Sequence, residues 1–222
     1  MYRGRQRVSA VKLLILSLVA VIVAVSIPAR RHGHMVVRIA DVDTGSGIGA
    51  IRVFASEPPA GVDLAGKAVD PLHADPGKPA VLIFIRTDCP ISNRYAPTIQ
   101  RISAQYAGKT AFWLVYPDKS ESSAAIEQHL RDYGYKLPAL HDPQHSLVKL
   151  SQAQVTPEVA VFDAGGQLVY HGRIDNWYQS FGHARSAPTT HELDDAIQAV
   201  LKGSKPQVAT ASGVGCYISD LE

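Results

Sequence analysis

Cysteine is scarce in this sequence, and Cys89 and Cys216 are the only two thiols in 222 residues. No cysteine follows the apolar run near the N-terminus, which excludes a lipoprotein anchor. The two cysteines lie far apart in the chain, so no short-range cysteine pair is present. Any thiol chemistry must therefore depend on these two residues.

Net charge is also small, and the formal value is only +2 at pH 7. Such a small excess does not suggest nucleic-acid binding, and we predict no nucleic-acid partner. The sequence lacks a phosphate-binding loop and a serine–histidine–acid set in a recognisable context. The glycine-rich stretch 45–50 precedes a strand-like run instead of a helix, which indicates a turn and not a dinucleotide site.

The N-terminus has the pattern of a membrane-targeting segment. An apolar or small-residue run at residues 13–27 is flanked by basic residues, namely Arg3, Arg5, Arg7, Lys12, Arg30 and Arg31. The pattern predicts a single-pass signal anchor within residues 1–30, which crosses the membrane through residues 8–27. A cleaved signal peptide is the alternative. Either interpretation places the domain on the extracytoplasmic, periplasmic side, where thiols can be oxidised.

The rest of the chain divides into three predicted parts. Residues 31–60 are a tether and a hairpin that leads into the domain, and residues 61–203 form the domain itself. The hydrophobic fraction of 46% and the charged fraction of 19% are those of an ordinary globular protein. Residues 204–222, which carry Cys216, are rich in small and polar residues at their start and are predicted to be a flexible tail.

Strand-like and helix-like patterns alternate within the domain. Residues 80–85 and 111–116 are apolar runs typical of strands buried on both faces. Residues 92–106 and 124–133 have helical periodicity, and a pair of strands and a last helix follow. This order predicts an α/β fold with a central mixed sheet covered by helices on both faces, a three-layer α/β/α sandwich.

Cys89 lies where the strand at 80–85 gives way to a helix. Free backbone N–H groups at such a position stabilise a thiolate, and Pro90 suits the beginning of a helix. Arg86 and Arg94 can add positive potential, whereas Asp88 opposes it, so the direction of the pKa shift stays open. An inert, buried cysteine is the alternative interpretation.

Two motifs resemble the thioredoxin-like superfamily. The first is the stretch 89–92, which reads CPIS before a helix, with Pro97 eight residues after Cys89. The second is 155-VTPEVAVFDAGG-166, which is similar to the cis-proline loop of thioredoxins. The resemblance implies a cis Thr156–Pro157 bond and a backbone edge that can hold a substrate chain. The chain looks most like extracytoplasmic redoxins of the alkyl-hydroperoxide-reductase, thiol-specific-antioxidant and TlpA-like kind.

The sequence departs from these families at positions that carry their chemistry. Ser92 replaces the second cysteine of the dithiol enzymes, although its hydroxyl can donate a hydrogen bond to the Cys89 thiolate. Ile83 stands where thioredoxins have a buried acid. Peroxiredoxins carry a proline and a threonine where this chain has Leu82 and Arg86. Neither parent activity is therefore implied as a whole.

Cys216 is the only residue in the chain that could resolve a mixed disulfide at Cys89. Closing a long loop costs only logarithmically more entropy than closing a short one, so the separation is no obstacle. We therefore predict a reversible Cys89–Cys216 disulfide, within one chain or between two. The alternatives are a simple tail residue and a cysteine that pairs with a partner protein.

The resemblance implies a membrane-tethered thiol oxidoreductase with Cys89 as nucleophile and Pro157 and Thr156 in the substrate groove. Its substrate would be a protein disulfide or a peroxide, and its electron donor an unidentified thiol. No cofactor or metal is predicted. The alternative is a non-catalytic thioredoxin-like binding module or a copper-delivery factor, for which a single cysteine at the site leaves the ligand set incomplete.

Overall fold

The computed structural model describes residues 60–219 and Leu221. The chain divides into two units, Met1–Ser56 and Glu57–Glu222, and the described residues belong to the second. The predicted anchor and almost all of the predicted tether lie outside the described residues. No helix within residues 60–219 is long and apolar enough to cross a membrane.

The described residues form twelve strands and five helices. The strands are β1 Gly61–Asp63, β2 Ala68–Val69, β3 Ala80–Phe84, β4 Ala111–Tyr116, β5 Ala139–His141, β6 Val155–Thr156, β7 Glu158–Phe162, β8 Leu168–Gly172, β9 Tyr178–Ser180, β10 His183–Ala184, β11 Thr210–Ala211 and β12 Cys216–Tyr217. The helices are α1 Pro90–Arg94, α2 Ala96–Gln105, α3 Ser123–Asp132, α4 Ser146–Ser151 and α5 Glu192–Leu201.

Eight of these strands form one mixed sheet in the order β11-β8-β7-β3-β4-β5-β1-β2. β3, β4 and β5 are parallel neighbours, and β7 is antiparallel to β3. Alternate side chains of β3 enter two different hydrophobic clusters, with Ile83 packed among residues of α2 and α5 and Leu82 among residues of α4. The predicted α/β fold with a central mixed sheet and helices on both faces is confirmed.

The helix predicted over residues 92–106 begins earlier and is interrupted. α1 ends at Arg94, Tyr95 links it to α2, and α2 begins at Ala96. Pro97 has no N–H group to donate to a carbonyl one turn earlier, so the helical hydrogen bonding cannot run through this point. The break leaves α1 as a single short turn that begins directly after Cys89.

The C-terminal region differs from the predicted flexible tail. β11 pairs in parallel with β8 at the edge of the large sheet, and β12 pairs antiparallel with β6. β11 lies so close to β8 that a Cβ on Gly172 would be 1.9 Å from the Ala211 carbonyl oxygen. Gly172 also has a φ of +134°, which favours glycine at this position. These pairings bring the end of the chain back to the domain.

Candidate active site

Cys89 lies at the N-cap of α1, immediately after the loop that follows β3. Its side chain is fully buried, with 0% exposed, and not open to solvent as a nucleophile at a helix start would be. The thiol donates a hydrogen bond of 3.1 Å to the backbone carbonyl oxygen of Thr156. The site thus combines the helix-start position with the burial that sequence reasoning left open.

The cis-proline loop lies directly against this thiol. The Thr156–Pro157 peptide bond is cis, as the sequence predicts. Thr156 is the last residue of β6, and β7 begins directly after Pro157. β7 pairs with β3, so the sheet itself holds the loop beside the strand that leads to Cys89.

Cys216 is the residue that completes the site. Antiparallel pairing of β12 with β6 sets Cys216 opposite Thr156 and Tyr217 opposite Val155. The hydroxyl of Thr156 donates to the Cys216 carbonyl oxygen at 3.4 Å. Both cysteines are free thiols, and their side chains interact with each other. The structure therefore brings together the two thiols that the sequence predicts to pair, within one chain.

The pKa of the Cys89 thiol is lowered below its ordinary value. Burial acts to raise it, but hydrogen bonding from the Cys216 thiol and from the Ser92 hydroxyl favours the thiolate and outweighs burial. The backbone N–H groups of Ser92 and Cys216 act in the same direction. These groups can donate hydrogen bonds to the Cys89 thiolate, whereas the Thr156 carbonyl oxygen accepts a hydrogen bond from the neutral thiol.

The pKa of Cys216 moves the opposite way, to about 12. Burial raises it first, and its hydrogen bond to Cys89 and the negative charge of the Cys89 thiolate raise it further. A thiolate attacks and a thiol does not, so the two residues are unequal. The two shifts favour a thiolate at Cys89 and a protonated thiol at Cys216.

Ser92 is placed as the sequence predicts, one turn along α1 from Cys89. It is buried, and its hydroxyl makes no hydrogen bond in the neutral site. The hydroxyl nevertheless lowers the pKa of Cys89, because it can donate to the thiolate. Pro90 occupies the beginning of α1, where its missing N–H group leaves no helical bond unmade.

The two arginines predicted to tune Cys89 have other partners. Arg86 forms ion pairs with Asp118 at 2.7 Å and with Asp88 at 3.1 Å. Its charge lowers the pKa of Cys216, against the stronger effect of burial. The Arg94 guanidinium lies 5.5 Å from the centre of the Trp177 ring, a cation–π arrangement.

A buried polar network that sequence reasoning missed supports the loop before Cys89. Tyr116 donates to Nδ1 of His129, and Nε2 of His129 donates to the Asn93 side chain, both at 2.8 Å. Asn93 in turn donates to the Thr87 carbonyl at 3.0 Å. Burial lowers the pKa of His129, in agreement with a neutral ring that donates on one side only. No local pattern marks these residues, because they come from three separate elements.

Glu158 is a second residue that sequence reasoning missed. Its carboxylate is buried and accepts from the backbone N–H of Gln154 at 2.7 Å and of Gly213 at 3.2 Å. It therefore ties the cis-proline loop to the C-terminal region. The signal that could have found this contact is the alternation of glycines in 213-GVGC-216, since glycine in an extended segment often marks a close backbone approach.

The part of the chain that the structure describes contains no group of three or more histidine, cysteine, aspartate or glutamate side chains that could hold a metal ion.

Comparison with known proteins places this site in a family. A family model described as Redoxin matches residues 56–177, more than half of the chain, and Cys216 lies beyond the match. No curated protein matches the chain. An uncharacterized conserved protein from Geobacillus kaustophilus has a similar structure, with a TM-score of 0.63 and 22% identity over 72% of this chain and 87% of that one.

A hypothetical protein from Sinorhizobium meliloti is similar to the same extent, with a TM-score of 0.61 and 23% identity over 72% of this chain and 88% of its own. At these identities the two structures establish the fold alone. The family match covers Cys89 and the cis-proline loop, the two parts that meet in the site. The chain therefore belongs to the redoxin family.

Proposed function

We propose that this protein is a thiol oxidoreductase in which Cys89 attacks the substrate and Cys216 resolves the intermediate. The observation that carries the proposal is the placement of Cys216 opposite Thr156, the residue whose carbonyl oxygen accepts from the Cys89 thiol, together with the opposite pKa shifts of the two cysteines. Ser92 stands where dithiol relatives have their second cysteine, and Cys216 supplies from the chain end the thiol that Ser92 cannot.

With a disulfide as substrate, the Cys89 thiolate attacks one sulfur and the substrate S–S bond breaks. One substrate sulfur leaves as a thiolate and takes up a proton, while the other forms a mixed disulfide with Cys89. Cys216 then loses its proton and attacks the Cys89 sulfur, which releases the second substrate thiol. The substrate gains two electrons, and the protein ends with a Cys89–Cys216 disulfide that an external dithiol must reduce.

With a peroxide as substrate, the Cys89 thiolate attacks the outer oxygen and becomes a sulfenic acid, while an alcohol or water leaves. Cys216 then condenses with the sulfenic acid, and water leaves as the same disulfide forms. A disulfide is the better substrate for this chain. Leu82 and Arg86 replace the proline and threonine of the peroxidatic pattern, and Arg86 is held by Asp118 and Asp88.

The proposed location is the extracytoplasmic side of a membrane, with residues 8–27 as a single-pass anchor. The support is the basic residues that flank the apolar run, together with the need for an oxidising compartment in a disulfide cycle. Substrate disulfides and the reducing dithiol would both be met on that side.

The test compares the reduced full-length protein in detergent with its Cys89→Ser and Cys216→Ser variants. Each is mixed with a model peptide disulfide or with hydrogen peroxide, and the products are read by intact mass. With the disulfide, the wild type should reduce the substrate and lose two hydrogens, and Cys216→Ser should stop at a stable mixed disulfide. Cys89→Ser should leave both substrates intact. Substrate reduction that survives in Cys89→Ser would overturn the proposal.

A non-catalytic binding module is the second candidate, because Cys89 is fully buried in the structure. The same experiment separates the two, since a module of that kind would leave both substrates intact while the folded protein still binds its partner.

A further inference from the structure

The edge of β6 beside Pro157 is occupied by residues 213–218, here named the C-terminal segment. Cys216 and Tyr217 of the segment pair with Thr156 and Val155. The pairing continues where the Ile218 N–H donates to the Gln154 carbonyl at 2.9 Å. The segment therefore runs along β6 as an added antiparallel strand that presents a cysteine to Cys89.

This arrangement is how a bound polypeptide substrate would lie in a groove of this kind, with main-chain pairing for affinity and a sulfur at the nucleophile. The segment and such a substrate would need the same backbone groups of β6, so they cannot be bound together. β12 has only two residues, and short edge pairings of this size are among the parts of a protein that open locally. The buried state of Cys89 is thus the closed state of the groove.

The backbone of the groove restricts what can stand directly before the cysteine. A Cβ on Gly215 would lie 2.0 Å from the Thr156 carbonyl oxygen and 3.1 Å from the Pro157 nitrogen. These are backbone atoms held by β6 and β7, so they cannot move aside as a flexible side chain could. In this register only glycine can precede the reacting cysteine.

The two residues after the cysteine differ in how far the domain buries their side chains. Tyr217 is 80% exposed, so the groove makes no demand on the residue that follows. Ile218 is 6% exposed and packs in the cluster that includes residues of β3 and α4, so the next position is apolar. The β6 groove therefore fits a four-residue sequence of glycine, cysteine, any residue and an apolar residue.

We propose that the C-terminal segment is a tethered ligand of the β6 groove, and that the groove accepts extended polypeptides with glycine directly before the reactive cysteine and an apolar residue two positions after it. The identity of the reacting thiols rests on the proposed function. After a substrate cysteine has formed the mixed disulfide, return of the segment displaces the substrate strand and delivers Cys216 to the Cys89 sulfur. The Cys216–Cys89 bond forms as the substrate thiol leaves with a proton, so resolution and release are one event.

The first test measures access to Cys89 in the reduced full-length protein, in a Cys216→Ser background, by site-resolved iodoacetamide labelling. The pH is set above the Cys89 pKa of every variant, so that the rate reports access and not the thiolate fraction. Adding Gly215→Ala should unseat the segment and raise the labelling rate about tenfold or more. Adding Tyr217→Thr is the matched control, because Tyr217 lies on the same strand and its side chain is exposed. It should change the rate by less than about twofold. Equal rates in the Gly215→Ala and control proteins would overturn the tethered-ligand proposal.

The second test measures binding of two synthetic peptides, GVGSYIS and GVASYIS, to full-length Gly215→Ala protein by fluorescence anisotropy. Serine replaces cysteine in both peptides, so no thiol chemistry enters, and failure here is distinct from failure of the proposed function. The glycine peptide should bind, and should bind the wild type about tenfold or more weakly, because the tethered segment competes at high effective concentration. Equal binding of both peptides would overturn the glycine requirement, and binding of neither would overturn the groove assignment.

Discussion

The two cysteines of the site lie in regions of different character. Cys89 follows β3, a strand at the centre of the large sheet whose side chains are fully buried. Cys216 lies on β12, a two-residue strand that pairs only with the equally short β6 among the described residues. The nucleophile is therefore fixed by the fold, whereas its partner is carried on a segment that can leave and return.

The pKa shifts follow the same division. Donors from α1 and from the C-terminal segment converge on Cys89 and lower its pKa, while Cys216 carries the opposite shift, to about 12. A reactive thiolate thus needs no second cysteine in the helix, provided that the C-terminal segment is seated. The seated segment lowers the pKa of Cys89 and also occupies the groove, so in this account thiolate formation and substrate access oppose each other.

The largest effect that separates the two regions should be on stability. Ile83→Ala removes a fully buried side chain from β3 and should lower the free energy of unfolding by about 2–5 kcal/mol. Ile218→Ala should lower it by less than about 2 kcal/mol, because the cost is limited to the free energy that holds the segment in place. Urea denaturation of both variants measures the two losses. Equal losses would show that the C-terminal segment unfolds with the core.

Removal of the Cys216 thiol should raise the pKa of Cys89. In Cys216→Ala the burial of Cys89 remains while the strongest favourable donor is lost, so the thiolate should form only at higher pH than in the wild type. Thiolate absorbance near 240 nm in the reduced protein, corrected with Cys89→Ser, gives the midpoint. Cys216→Ser keeps a hydroxyl donor and should shift the midpoint less. An unchanged midpoint in Cys216→Ala would contradict the described interaction.

Ser92→Ala should raise the same pKa by a smaller amount. The Ser92 hydroxyl favours the thiolate less than the Cys216 thiol does, and its backbone N–H remains in the variant. The pH profile of Cys89 alkylation should therefore move towards higher pH, between the profiles of the wild type and Cys216→Ala. A shift larger than that of Cys216→Ala would reverse the order of the two donors.

The region around Cys89 could be predicted from the sequence because its signals are local. The apolar run of β3, the cysteine before Pro90 and the proline at 157 each lie within a few residues of the feature that they predict. The helix predicted over residues 92–106 is interrupted at Tyr95, close to Pro97, which matches the proline that kinks the active-site helix of thioredoxins.

The place of Cys216 could not be predicted in the same way. The pairing of β12 with β6 depends on an edge that exists only after the sheet has formed, and the composition of residues 204–222 resembles a tail. The contact of Glu158 with Gly213 depends on the same return of the chain to the sheet. The paired glycines at 213 and 215 were the one sequence feature that pointed to a close approach.

The central claim is that Cys89 and Cys216 form one reversible bond within a single chain. The direct measurement is to oxidise the reduced full-length protein with diamide, block free thiols, digest it without reductant and map the linked peptides by mass spectrometry. The account predicts one Cys89–Cys216 disulfide in the monomer, fully reversed by dithiothreitol. Two blocked thiols after oxidation, or a linkage found only between chains, would contradict it.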